Sequence, residues 1–278
     1  MKTPINYYGG KQKLVPVLRS LFPPHKKYVE PFVGGGAAFW DKEPSTHETI
    51  NDIDYRVINF YEVVQTRFDE LNERVQLTLN SEHQHREAAR ILRAPLLDPV
   101  AYAWAFWVSS CMSFGSKLLG GWAFGCNSAD IGSEAKTLAN RKLAFQKHLA
   151  ERLRNVDIFC RDAIEVIQLS DGPDTFFYFD SPYPESDCGH YAGREEVYYR
   201  LLDLLPTLQA KWLMSSYPSE QLTELRCTYG WESHDQDMHL SMSRKHKVLK
   251  RKQECLTMNY RVAEQPIGLF AAEHLALP

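Results

Sequence analysis

The sequence predicts an α/β fold: an open, mainly parallel sheet, interrupted by a mainly helical insertion and finished by an antiparallel strand pair. Three observations carry that expectation. Residues 27–52 run strand, glycine turn, helix, strand, acid, the order of a nucleotide-binding α/β half. Residues 55–111 change to helical periodicity without a strand break,. Strand–helix alternation then returns from Val156 onward,. With 278 residues, 44% of them hydrophobic, the chain can bury one large core, or one core plus a small appended domain,. The expected organisation is a sheet domain from residues 1–58 and 150–278, with residues 59–149 as the helical insertion.

The elements follow in order. Lys13–Phe22 carries Leu14, Val17, Leu18 and Leu21 at helical spacing, Pro16 falls in its first turn, and Pro23-Pro24 stops it,. Lys27–Phe32 is a short strand running into Gly34-Gly35-Gly36; Ala37–Lys42 begins a helix, and His47–Ile50 is a second strand ending at Asn51-Asp52. Helical periodicity covers Tyr55–Arg93 and Asp98–Cys111, where Trp104, Phe106 and Trp107 read as core of the helical part,. Ser113–Ser128 mixes glycines with Phe114, Trp122 and Phe124, the composition of a hairpin or ordered loop,. Val156–Cys160, Thr175–Phe179 and Trp212–Ser215 are strands, and Asp162–Leu169, Glu195–Leu208 and Glu220–Arg226 are helices. Trp231–Asp237 and Cys255–Tyr260 form the closing antiparallel pair, with a basic block between them.

Composition narrows the function classes. The six cysteines are scattered without a CxxC pair, no HExxH helix is present, and His83 and His85 point to different faces of a helix. A metal site is therefore not expected. The apolar run Val100–Met112 is too short to cross a bilayer, and the amino terminus lacks the layout of a secretion signal, so cytoplasmic residence is expected,. A net charge of −3 argues against a protein that coats nucleic acid without specificity,. Its distribution matters more. Residues 1–29 hold Lys2, Lys11, Lys13, Arg19, Lys26 and Lys27 and no acid, and Arg244, Lys245, Lys247, Lys250, Arg251 and Lys252 form the second block. On one shared face these blocks would track phosphates; otherwise they are solvated surface. Lys117, in a glycine-rich loop with Trp122, is a further candidate for a phosphate contact.

Asp180-Ser181-Pro182-Tyr183 follows the buried strand Thr175–Phe179 directly. Ligands of open α/β sheets gather at the carboxyl ends of strands, so an acid and an aromatic placed there face the crevice. The amino group of adenine is a poor nucleophile because its lone pair is delocalised into the ring. A carboxylate accepting a hydrogen bond from it offsets the positive charge that develops during attack. A backbone carbonyl can take the second amine proton, and an aromatic ring can stack on a base swung out of the duplex. Asp180, the Ser181 carbonyl and Tyr183 supply those parts. The Gly34-Gly35-Gly36 turn is not spaced as a phosphate-binding GxGxxG, and no GKS/T follows, so nucleoside triphosphate hydrolysis is unsupported,.

Four segments in order, Asn6-Tyr7-Tyr8-Gly9-Gly10-Lys11, Glu30-Pro31-Phe32-Val33-Gly34-Gly35-Gly36, Asn51-Asp52-Ile53-Asp54 and Asp180-Ser181-Pro182-Tyr183, resemble the motifs of the DNA adenine methyltransferase family. Ser215-Ser216-Tyr217 and Glu254-Cys-Leu-Thr-Met-Asn-Tyr260 are similar to its later motifs. The resemblance implies a class I methyltransferase (Rossmann-like) fold, S-adenosylmethionine as cofactor and double-stranded DNA as substrate. It implies cofactor contacts from Tyr7, Gly10, Lys11, Pro31, Phe32, Gly34, Gly36, Asp52, Asp162, Ala163 and Asp180. Lys11 would sit near the cofactor's carboxylate, Asp52 on its ribose hydroxyls, and Asp162 with Ala163 beside its adenine ring. Asp180, Ser181, Pro182 and Tyr183 would form the catalytic tetrad acting on the N6 amine of a flipped adenine. The helical insertion would read the target, with Lys117, Trp122, Arg244, Lys245 and Lys247 on DNA.

Ser181 stands where the family usually has proline, which implies a looser turn with the carbonyl retained. The Ser113–Gly125 segment differs from that of members reading GATC, so the target site does not carry over. Methylation of the cytosine N4 amine and a catalytically silent DNA-binding protein are the rival readings. The resemblance also leaves room for a partner restriction endonuclease.

Overall fold

The computed structural model describes residues 1–7, 10–124, 132–183, 195–239 and 251–262. In chain order the strands are β1 (Lys27–Glu30), β2 (His47–Asn51), β3 (Val156–Phe159), β4 (Thr175–Phe179), β5 (Lys211–Ser216), β6 (Glu232–His239) and β7 (Arg251–Met258). The helices are α1 (Val15–Leu21), α2 (Ala37–Asp41), α3 (Tyr55–Thr66), α4 (Phe68–Leu77), α5 (Glu82–Arg93), α6 (Pro99–Met112), α7 (Ser133–Ala144), α8 (His148–Leu153), α9 (Ala163–Ser170), α10 (Glu195–Leu204) and α11 (Glu220–Tyr229).

The seven strands form one sheet in the order β3-β2-β1-β4-β5-β7-β6. β1 to β5 pair in parallel, and β7 runs antiparallel between β5 and β6. The order reverses between β1 and β4, which places a crevice at the carboxyl ends of those strands,. This is a doubly wound sheet with one antiparallel strand inserted near its edge,.

A parallel sheet needs cover on both faces, and the strands are written for it. Along β4 every residue is buried. Phe176 and Tyr178 join one apolar cluster, and Phe177 and Phe179 join the other. α9 and α10 close the second face through Ile164, Val166, Ile167, Tyr198, Leu201 and Leu202. The first cluster is larger. It runs from Tyr28, Phe39 and Trp40 through Phe60, Tyr61 and Val64 of α3 to Phe106, Trp107 and Val108 of α6. One continuous apolar core thus joins the sheet to the helices between β2 and β3.

Local signals set the ends of the elements. Asp54 caps α3 by accepting from Arg56 N at 3.0 Å, and Asp98 caps α6 by accepting from Val100 N at 2.9 Å, with Pro99 in the first turn,. The helix expected over Glu195–Leu208 ends as an α-helix at Leu204, because Pro206 interrupts it and a 3₁₀ turn takes Leu205–Thr207,. β7 begins earlier than expected, at Arg251. Arg251 and Lys252 therefore belong to the strand rather than to a basic block lying wholly between strands. Arg244, Lys245, Lys247 and Lys250 lie outside the described residues.

His85 is buried and bonded to Ser113 Oγ at 2.9 Å, whereas His83 is exposed. Among the described residues, no helix is long and apolar enough to cross a membrane, and no three His, Cys, Asp or Glu groups are placed to hold a metal ion.

Candidate active site

The site forms where five chain segments meet at the carboxyl edge of the sheet. β7 brings the fifth. Because it runs antiparallel to β5, with Ser216 opposite Cys255 and Ser215 opposite Leu256, its early residues lie at that same edge. Glu254 arrives beside the end of β4 in this way.

Asp180 follows β4 and is the hub. Lys11 Nζ lies 2.9 Å from Asp180 Oδ1 and 3.2 Å from Glu254 Oε1. The Tyr183 hydroxyl lies 2.8 Å from Asp180 Oδ1, 2.7 Å from Glu254 Oε1 and 3.1 Å from Ser215 Oγ. Ser215 Oγ is in turn 3.2 Å from Asp180 Oδ1 and 3.1 Å from the Tyr178 hydroxyl. Burial opposes the charge of Lys11, but the Asp180 and Glu254 carboxylates outweigh it and hold the ammonium above its ordinary range,. Burial pushes Glu254 up, with Lys11 opposing that rise and Asp180 adding to it. Glu30, at the end of β1, is pushed up to about 8 by burial, although Tyr28 donates to it at 2.8 Å and Phe39 N at 3.1 Å.

Tyr183 is buried. Its ring meets Tyr217 edge-on with centroids 4.7 Å apart, and Lys11 Nζ lies 4.8 Å from its centroid. Ser181 is buried as well, and its hydroxyl has no hydrogen-bond partner among the described residues.

The glycine turn packs closely against Tyr7. Gly34 and Gly36 adopt φ of +44° and +63°, the left-handed region that favours glycine,. A Cβ on Gly34 would stand 2.9 Å from the Tyr7 ring, and one on Gly35 would stand 2.8 Å from Tyr7 Cβ. The close approach at these two glycines is thus made by Tyr7. Gly10 N donates to Tyr7 O at 3.1 Å, one residue before the Lys11 that enters the site. Asp52 accepts from Gly34 N at 3.0 Å and from Asp54 N at 2.8 Å. Asn51 donates to Pro31 O at 2.9 Å and Arg161 O at 3.1 Å, tying the segments after β1 and β3 together. Phe32 packs with Phe159 against the second apolar cluster. Asp162 caps α9, beside Ala163, and pairs with Arg200 at 2.9 Å.

Lys117 and Trp122 lie in a separate turn after α6, where Ser113 bridges Trp122. Trp122 stacks on Phe124 with centroids 5.3 Å apart, and Phe114 and Phe124 are exposed. Four of the six basic residues of the acid-free first segment, Lys2, Lys13, Arg19 and Lys26, are exposed. Lys11 is buried in its ion pairs, Arg19 pairs with Asp41, and Lys26 pairs with Asp174 at 3.2 Å.

Glu254 had a motif but no expected role. Its signal was an acid inside a strand otherwise built for burial, Cys255-Leu256-Thr257-Met258. A charge kept in such a run needs a partner. Glu30 carried the same signal, and its partner is Tyr28 in its own strand.

Residues 7–90 match the D12 class N6 adenine-specific DNA methyltransferase family. The type II methyltransferase M1.LlaDCHI of Lactococcus lactis subsp. cremoris is 32% identical over 78 residues, 28% of this chain. That match spans about a quarter of the relative, 26% of its length. An rRNA methylase from Streptococcus thermophilus, known from a crystal structure, aligns over 88% of this chain and 93% of its own at 8% identity, with a TM-score of 0.31. Residues 7–90, which hold Tyr7, Lys11, the glycine turn and Asp52, are thus the part of this chain that is similar to the D12 class N6 adenine-specific DNA methyltransferase family.

Proposed function

We propose that the protein transfers a methyl group from S-adenosylmethionine to the exocyclic N6 amine of adenine in double-stranded DNA. The observation that carries this reading is the Asp180 carboxylate, set at the carboxyl end of β4 and paired with a buried ammonium. A carboxylate so placed can accept a hydrogen bond from an amine that becomes positively charged during attack.

The donor and acceptor set suits the cofactor. Two of the three Lys11 N–H groups face Asp180 and Glu254, which leaves one for a carboxylate,. Asp52, at the end of β2, offers acceptors for ribose hydroxyls. The Ser181 hydroxyl is a buried polar atom without a partner among the described residues, next to Asp180 in the chain, and a bound group would satisfy it,. Tyr7, Gly10, Pro31, Phe32, Gly34, Gly36, Asp162 and Ala163 complete the proposed cofactor contacts around these groups. When bound, S-adenosylmethionine supplies an electrophilic methyl group, and its sulfur keeps the electron pair of the broken bond. The protein's share is to hold the amine against Asp180 and exclude water. A flipped base would approach beside Tyr183, whose ring meets Tyr217 edge-on,. The helices of 59–149, with the Lys117–Trp122 turn, are proposed as the target-reading part, joined by Arg244, Lys245 and Lys247.

The test is nucleoside mass spectrometry on unmethylated DNA incubated with the protein and S-adenosylmethionine, beside an Asp180→Ala control. N6-methyladenine that depends on Asp180 is the expected product. N4-methylcytosine overturns the choice of base. Absence of product together with absence of cofactor binding favours a DNA-binding protein without the activity.

A further inference from the structure

We propose that Glu254 is the terminal acceptor of the proton released on methylation, taking it from Asp180 through the Tyr183 hydroxyl. The proposal rests on the role given to Asp180 above, and it follows from counting protons. Tyr183 Oη has short contacts to two carboxylate oxygens, 2.8 Å to Asp180 Oδ1 and 2.7 Å to Glu254 Oε1. A phenol has one proton to donate. With both acids ionised, one of those contacts would oppose a lone pair to an anionic oxygen. One added proton on either acid supplies the missing donor. The cluster is therefore built to hold a further proton, and Tyr183 lies between its two resting places.

Burial decides which acid keeps it. The Glu254 side chain is 7% exposed and that of Asp180 is 23% exposed. The neutral form is favoured where water is scarcer. The direction of the Glu254 shift agrees, since burial pushes this carboxyl up.

The step balances. At the start Tyr183 donates to ionised Glu254. A methylated amine holds one proton in excess and passes it to the Asp180 carboxylate. Asp180 then gives a proton to Tyr183 Oη as Tyr183 gives its own to Glu254 Oε1. One amine N–H bond is broken and one Glu254 O–H bond is formed. The positive charge on nitrogen and the negative charge on Glu254 disappear together. Tyr183 ends as a donor to Asp180, which is again ionised.

Among the described residues, Lys11, Tyr178, Tyr217, Glu30 and Tyr28 border this path. Lys11 faces both acids. Tyr178 reaches Ser215, and Glu30 with Tyr28 lies on the Asp180 side. On β6 the register partner of Glu254 is the uncharged Gln236.

The test compares wild type, Glu254→Gln, Tyr183→Phe and the double variant in single-turnover methylation at saturating DNA and S-adenosylmethionine across pH, with cofactor binding followed by calorimetry. Each single variant should lose at least about tenfold in rate, and the double should lose no more than the slower single. The acid limb of the wild-type profile should disappear in Glu254→Gln and persist in Glu30→Gln. Should Glu254→Gln fail to fold, as judged by lost cofactor binding, Tyr183→Phe carries the same rate comparison. Multiplying effects in the double variant, or a wild-type rate and acid limb in Glu254→Gln, overturn the relay while leaving the methyltransferase reading intact. A wild-type protein that makes no methyladenine overturns the reading beneath it, and the relay falls with it.

Discussion

Lys11 Nζ stands 2.9 Å from Asp180 Oδ1, in a site where the same ammonium also meets Glu254 at 3.2 Å. The contact joins the segment before α1 to the end of β4, and it makes the charge of each partner depend on the other. Lys11→Met would leave two carboxylates buried together without a cation. Breaking a buried pair in this way costs roughly 3–5 kcal/mol. Urea unfolding should show that loss at neutral pH and a partial recovery in acid, where one carboxyl takes a proton. The sign for the wild type follows from the raised lysine. Its contribution is fully present below the ordinary lysine range and is lost only as pH rises beyond it. Equal stability of variant and wild type at pH 7 would show that the pair contributes nothing.

Glu30 gives a second pH dependence, of opposite use. Its folded pKa of about 8 stands above the free value of 4.5, because burial disfavours the anion. Between those values the folded chain binds the proton and the unfolded chain does not, so stability falls as pH rises from 4.5 to 8,. Glu30→Gln can still accept from Tyr28 and Phe39 N and carries no titrating proton. Its melting temperature should vary less across that window than that of the wild type, and should exceed it at the alkaline end. A steeper profile in the variant would contradict the assignment.

Gly34→Ala tests the turn beneath Tyr7. The residue must hold φ +44° and place a Cβ 2.9 Å from the Tyr7 ring. The left-handed conformation alone costs about 1–2 kcal/mol, and displacing the ring adds to it. Gly172→Ala is the matched control, since nothing lies within 4 Å of its Cβ position. Melting of the two variants should differ by several degrees, and S-adenosylmethionine affinity should fall only in Gly34→Ala.

Lys117 is proposed to meet a phosphate. Lys117→Ala should weaken binding to all duplexes alike and reduce the slope of log K against log salt by about 1. A change confined to one base position would instead mean that this turn reads sequence.

Much of this was legible beforehand, and the reason is local. β4 announced itself as a threonine and four aromatic residues ending in an acid, and the structure gives Thr175–Phe179 followed by Asp180. Gly34 and Gly36 sit where only a left-handed turn needs them, and Asp52 ends its strand as expected. Trp107 and Phe106 are buried, as their helical spacing requires. What remained hidden depends on pairing between distant segments. Glu254 reaches Tyr183 across 71 residues only because β7 inserts beside β5. No local pattern around Glu254 reports that insertion. The Tyr7 ring over Gly34 was hidden likewise, since composition cannot say whether a glycine makes room for a ligand or for the protein's own side chain.

The place of β7 between β5 and β6 has a consequence for how the protein is made. Synthesis delivers β5 and β6 before the strand that separates them, so on the ribosome the β5 edge has no permanent neighbour,. Until residues 251–258 emerge, Lys11 has Asp180 but not Glu254, and Tyr183 lacks the second of its acidic partners. The candidate site is thus completed by a segment made after both β5 and β6. A nascent chain stalled before β7 would carry most of the fold and an unfinished site.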